Sequence, residues 1–285
     1  MRWFKRLALV ATAVGLGLAV WRWRDAGSHV DWRTLPWAAL LLALPPLVQA
    51  CAFVLVLRLL GARAPFLATV VVWMRSFLAR YAPSGAAGVV LRSREGERLG
   101  ASSTQLWAAT AYEQLIALVA GAVVCVAAFV VAGTAVPWPA GVVLGAAVAA
   151  AVALRPAFSE RWVRRVLRSR TADLPRLLRG REIALVAAVT AVGWIPTAAA
   201  VHLLAGSGYA SGLGAYAFAW LVGFLVPLAP GGLGLRDGLV AASLGPAAAV
   251  VLRIAATLGE VIAFVVVEMM HVLSRLGSRP PMRTA

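Results

Sequence analysis

Charged side chains fall inside stretches of this chain that are otherwise almost wholly apolar: Arg75, Arg80, Arg236 and Arg253, with Glu113, Asp237, Glu260 and Glu268. A charge at the centre of a hydrocarbon layer costs about 2.5–3.5 kcal/mol on insertion scales, so such residues persist where they pair with one another or meet a ligand. Two chemistries follow from these residue types. Guanidinium groups fork onto phosphate or carboxylate oxygens, with the carboxylates holding them between encounters. The alternative is internal ion pairing that fixes one helix against another.

Beside these charges lie two proline-led, glycine-rich segments, Ala82-Pro83-Ser84-Gly85-Ala86-Ala87-Gly88 and Ala229-Pro230-Gly231-Gly232-Leu233-Gly234. Backbone of this kind at membrane depth leaves amide groups without helical partners. A helix that starts just after such a tip turns its free N–H groups toward it, which suits a phosphate or a carboxylate. Close packing of helices is the other use of the glycines. The candidate substrate-binding set is therefore Arg75, Arg80, Pro83, Ser84, Gly85, Gly88, Glu113, Pro230, Gly231, Gly232, Gly234, Arg236, Asp237, Arg253 and Glu260. Arg80 and Arg92, near the mouth of the first segment, have a second reading as interfacial residues that reach toward headgroups. His29, His202 and His271 have no Cys, Asp or Glu at metal-ligand spacing in a plausible polar site, and no serine elbow, phosphate loop or zinc motif occurs. No catalytic residue, metal site or cofactor is expected.

The elements that must carry these groups follow from composition. The 285 residues are 62% hydrophobic and 13% charged, against roughly half and a quarter in soluble domains. The apolar residues come in blocks of about 17 to 28, enough to cross roughly 30 Å of hydrocarbon. Continuous blocks predict spans near residues 7–21, 37–57, 105–131, 137–155, 182–204 and 247–274. Blocks near 65–90 and 214–244 are broken centrally by Pro and Gly and read as re-entrant hairpins. The fold class is all-α: a single polytopic membrane domain over 1–285 with about six full spans and two re-entrant hairpins. The first apolar run is read as a retained helix, because Trp21-Arg22-Trp23-Arg24 after it is an interfacial anchor and not a cleavage site. Cys51 and Cys125 fall within predicted spans as small apolar thiols.

The net charge of +16 sets orientation. Basic residues cluster before the first span, after the second, before the third, through 155–181 with its nine arginines, and at the C-terminus. The positive-inside rule then places both termini in the cytoplasm and the chain in a plasma membrane of bacterial type. The 155–181 segment has few aromatic residues and reads as lying on anionic lipid, with no nucleic-acid partner expected.

The chain also matches itself. At an offset of 147, Trp73 meets Trp220, Phe77 meets Phe224, Ala82-Pro83 meets Ala229-Pro230, Gly85 meets Gly232, Thr110 meets Thr257 and Glu113 meets Glu260. Repeat 1 covers about 5–131 and repeat 2 about 137–275. An odd number of crossings separates Glu113 from Glu260, so the halves run oppositely. That is an inverted-topology repeat, in which ligand sites lie near the midplane at broken helices.

A Pro-Gly-rich first tip followed by a Glu-bearing span, then Pro230-Gly231-Gly232-Leu233-Gly234 with an acid three places on and a final Glu-bearing span, resembles the lysylphosphatidylglycerol synthase transmembrane, or flippase-like, domain family. This is the membrane part of the bacterial multiple peptide resistance factor. The resemblance covers about residues 5–275 and is sharpest at the second tip. It implies a protein that moves a lipid between leaflets, without the soluble aminoacyltransferase domain that makes the aminoacylated lipid in bifunctional relatives. Ser84 stands where the family tends to place Gly, and Arg236-Asp237 where Glu is common. The expected function is translocation of an anionic or zwitterionic phospholipid, or of a polyprenyl-phosphate-linked lipid, with membrane lipids as partners. A homo-oligomer or a separate lipid-modifying enzyme is a further partner to consider. The competing reading is a membrane enzyme or accessory subunit in polyprenyl-linked glycosyl transfer.

Overall fold

The computed structural model describes residues 32–79, 87–134, 140–155, 176–225 and 235–277. Among them the chain is helical and carries no strand: a 3-10 turn Trp32–Thr34, then α1 (Leu35–Leu59), α2 (Phe66–Leu78), α3 (Ala87–Glu97), α4 (Ser103–Ala132), α5 (Ala140–Ala153), α6 (Gly180–Val192), α7 (Trp194–Ala205), α8 (Tyr209–Leu225), α9 (Leu235–Leu244) and α10 (Pro246–Gly277).

Among the described residues, four segments are long and apolar enough to cross a membrane: Trp32–Leu59, Ser103–Ala132, Gly180–Ala205 and Pro246–Leu276. They coincide with four of the six predicted spans. The 137–155 block contains α5, whose 14 residues reach only about 21 Å at 1.5 Å per residue. Its helix begins directly behind Pro137 and Pro139, which supply no backbone N–H. The 7–21 block lies outside the described residues.

Local sequence explains where the long helices start, bend and stop. At the start of α4, Ser102 Oγ accepts from the Gln105 amide, and the Gln105 side chain accepts from the Ser102 amide. Gly133 ends α4 in the left-handed conformation, φ 63°. Inside α1, Pro45 and Pro46 withhold two backbone donors. The third segment breaks at a corresponding level: α6 ends at Val192, Gly193 N–H reaches back to Thr190 O, and Pro196 near the start of α7 withholds a further donor.

Directions follow from side-chain contacts. Gln105 Nε2 donates to Leu60 O at 3.1 Å, while Gln49 Nε2 donates to Glu113 at 3.3 Å, so α4 runs antiparallel to α1. Along α10, residues 249–255 share a core cluster with Ala38 and Leu42, whereas Ala263 and Val267 join the cluster of Phe53 and Val56. Helix α10 thus runs parallel to α1 and opposite to α4. Helix α7 is antiparallel to α1: Ala200, Val201 and Leu204 cluster with Ala38 and Leu42, and Gly193 lies against Pro45 and Val48.

The short helices form two packed pairs, α2 with α3 and α8 with α9. The approach is close in both. A Cβ on Gly88 would stand 2.5 Å from Ser76 O, and one on Gly223 would stand 3.0 Å from Arg236 Cβ. Residues 147 apart occupy matching places: Trp73 stacks on Phe77 at 4.8 Å and 18°, and Trp220 stacks on Phe224 at 5.2 Å and 25°. Helix pairs match as well. The α2–α10 contact has its counterpart in α8–α4, the α3–α4 contact in α9–α10, and the α1–α2 contact in α7–α8. The outer surface is apolar, with Val123, Val130 and Val131 on α4 and Val261, Val265 and Met269 on α10 exposed. Lipid-facing surface of this kind needs no burial.

Candidate functional site

A cavity of about 400 Å³ opens where the two halves meet. Its wall includes both members of four pairs that lie 147 residues apart: Pro46 and Gly193, Trp73 and Trp220, Phe77 and Phe224, Glu113 and Glu260. The prolines Pro45-Pro46 within α1 and the helix break at Gly193 therefore face this space, as do Arg92 and Arg236. Two arginines and two glutamates in a wall otherwise rich in aromatic and aliphatic groups make it a polar chamber within an apolar body.

The Glu113 side is fully coordinated. Its Oε2 lies 2.6 Å from Arg92 Nη1, and its Oε1 accepts from Trp73 Nε1 at 2.8 Å and from Gln49 Nε2 at 3.3 Å. Arg92 Nε donates to Ser76 Oγ at 2.9 Å, and the Ser76 hydroxyl donates to Trp73 O at 2.7 Å. The guanidinium also lies over the rings of Phe53 at 4.7 Å and Trp73 at 5.5 Å. Glu113 is 2% exposed and Arg92 7%, so this is an ion pair withdrawn from solvent and tied to four helices, α1 to α4.

The interfacial reading of Arg92 is thereby corrected. Its charge count placed it with the cytoplasmic basic residues, but α3 packs back on α2 and turns the side chain inward toward Glu113. The signal available in the sequence was the buried carboxylate itself, which needs a cation, and Arg92 lies one turn beyond Gly88, the glycine that permits the close approach.

On the other side Glu260 is 8% exposed in the cavity wall. Arg236, near the start of α9, donates to the hydroxyl of Tyr216 and lies 4.8 Å over its ring. Arg253 Nη1 is 3.9 Å from Asp237 Oδ1, joining α10 to α9. Neither of that pair lines the cavity.

Arg75 is placed elsewhere. Its Nε and Nη2 fork onto Glu268 at 2.5 and 3.0 Å, and Nη1 lies 3.6 Å from Glu95. With 41% of its side chain exposed, it clasps α2 to α10 outside the cavity. The positions 147 away hold Val222 and Gly121, so the clasp exists on one side of the molecule. Gly88 lines the cavity as a packing glycine. Arg80, Pro83, Ser84, Gly85, Pro230, Gly231, Gly232 and Gly234 lie outside the described residues.

The structure thus brings together Gly88, Glu113, Arg236 and Glu260 from the candidate set and separates Arg75, Asp237 and Arg253 from them. Arg92, Gln49, Ser76, Trp73, Tyr216 and Thr190 join the wall without having been singled out as binding residues. Thr190 is 7% exposed, and its hydroxyl has no hydrogen-bond partner among the described residues. Among the described residues, no group of three or more His, Cys, Asp or Glu side chains is placed to hold a metal ion.

Compared with protein-family models and with curated proteins, the chain gives no match.

Proposed function

We propose that the protein is a non-enzymatic lipid transporter of flippase-like type. The polar head of an anionic or zwitterionic lipid, phospholipid or polyprenyl phosphate, passes through the central cavity while its hydrocarbon chains stay in the bilayer. The observation that carries this reading is a chamber of about 400 Å³ holding two arginines and two glutamates at the meeting place of matched half-chains, inside a body with four helices apolar enough to cross a membrane. A headgroup needs such a polar enclosure to cross, and its acyl chains need the apolar exterior. The reading includes an inverted-topology repeat with two re-entrant hairpins. Supporting it are the opposite directions of α4 and α10, the antiparallel seam between α1 and α7, and the paired short helices α2–α3 and α8–α9. The resemblance to the flippase-like domain family points the same way. Movement is driven by the lipid gradient or by a coupled ion, with cytoplasmic termini in a plasma membrane.

The test is reconstitution of the full chain into vesicles with a panel of labelled phospholipids and a polyprenyl phosphate on one leaflet. At least one lipid should equilibrate tenfold or more faster than in protein-free vesicles. Equal rates for every lipid, with the protein shown to be folded, would remove transport from consideration.

A further inference from the structure

Duplication gives the two halves of the cavity equivalent carboxylates but not equivalent surroundings. Around Glu113 stand Gln49, Ser76 and Arg92; the positions 147 further on hold Pro196, Gly223 and Leu239. The second half therefore cannot assemble the same network around Glu260. Its cavity cation enters from another place, as Arg236 on α9.

Arg236 meets a different kind of partner. The Tyr216 hydroxyl accepts from it and the Tyr216 ring faces it, and neither cancels its charge. Among the described residues no carboxylate lies within 4.0 Å of an Arg236 nitrogen: Glu113 is paired with Arg92, Asp237 with Arg253, and Glu268 and Glu95 with Arg75, while Glu260 lines the same cavity with an interaction of its own. A guanidinium carries five N–H donors, and the Tyr216 hydroxyl, having accepted, keeps its own proton to give. A second and independent observation lies in the same wall, where the Thr190 hydroxyl is buried without a hydrogen-bond partner. Donors from α6, α8 and α9 thus remain available to one space.

We infer that the halves have divided their labour: Arg92–Glu113 is a closed counterion pair that holds helices together, while Arg236, with Tyr216 and Thr190, receives a phosphate group. Phosphate fits this set because its oxygens are arranged tetrahedrally and take donors arriving from several helices, whereas a carboxylate confines them to one plane. The assignment to a lipid phosphate rests on the transport reading above; the anion site itself does not, since a free phosphate ester has the same chemistry.

The full chain in detergent is titrated by calorimetry with dihexanoyl phosphatidylglycerol, with dihexanoylglycerol and with glycerol 3-phosphate, and its unfolding temperature is recorded without ligand. Phosphatidylglycerol should bind at least tenfold more tightly than dihexanoylglycerol. R236Q should abolish that preference without lowering the ligand-free unfolding temperature, R236K should keep part of it, and T190V should weaken binding severalfold. R92Q should lower the unfolding temperature by several degrees and R92Q/E113Q should recover most of the loss, as expected of a mutual pair. A phosphate preference that survives in R236Q, or an R236Q protein as destabilised as R92Q, overturns the division. Glycerol 3-phosphate binding as tightly as the lipid upholds the anion site and overturns the lipid reading. Failure of all three compounds to bind overturns both.

Discussion

At the scale of single residues, Glu113 shows how a carboxylate becomes part of a membrane protein's frame. Each of its oxygens is met by a donor, one from a guanidinium and one from an indole. Hydrogen bonds to charged groups contribute roughly 1.5–3 kcal/mol. Trp73→Phe removes the indole donor but keeps the ring that stacks on Phe77, so it should cost about 2 kcal/mol, measured by thermal or denaturant unfolding. Trp220→Phe is the control. Trp220 stacks on Phe224 and meets Trp194 edge-on, but makes no hydrogen bond among the described residues, and its loss should be smaller. Equal losses would mean that the Trp73 bond carries no weight. Both tryptophans were legible in the sequence as a repeated pair. The bond that distinguishes them was not, because it depends on the Trp73 and Glu113 side chains of α2 and α4 reaching one another in space, which no spacing along the chain encodes.

At the scale of elements, close approach of backbones decides which helices touch. Between helices in lipid the hydrophobic effect gives little drive, and contact between small residues replaces it. Gly259 on α10 meets three backbone atoms of α1, since a Cβ there would stand 2.6 Å from Ala39 O, 2.7 Å from Leu42 C and 2.8 Å from Ala43 N, none of which can swing aside. Gly259→Val should therefore destabilise the protein by about 1–3 kcal/mol, read as a lowered unfolding temperature. By contrast, Gly141→Ala on α5 meets open space, and should be neutral or slightly stabilising through its helix preference. A Gly259→Val protein as stable as the parent would show that α1 and α10 are not packed as described. Long apolar runs made the four spanning segments readable, with ends within a few residues of those expected. The division of the 182–204 run at Gly193 was hidden, because hydropathy is blind to a lost hydrogen bond. Arg75 was misplaced for a related reason: hydropathy puts an arginine in a membrane segment without saying which side of the helix faces the cavity and which faces Glu268.

At the scale of the whole molecule, the proposed inversion makes a directional prediction. Ser102 precedes α4 and Gly245 precedes α10, helices that run oppositely. Single cysteines at these two positions, in a chain whose exposed Cys51 has been replaced by alanine, should be labelled by a membrane-impermeant thiol reagent from opposite sides of sealed vesicles. Labelling of both from one side would rule out the inverted arrangement. The offset of 147 could be read from the sequence, whereas the cavity could not, since it is formed by helices from both halves.

The seam between α1 and α7 carries a geometric consequence. Pro46 and Gly193 are 147 residues apart and both line the cavity, and a Cβ on Gly193 would lie 3.6 Å from Pro45 Cα and from Val48 Cγ1, so these matched positions sit close to one another across the seam. In the proposed inverted repeat, a contact of this kind lies on the two-fold axis. Every off-axis interface comes as one of two, and an exchange of shapes between the halves turns each into its twin. In the proposed inverted repeat the proline–glycine seam maps onto itself, so an exchange of the halves would turn about it, beside the chamber whose access such an exchange would reverse.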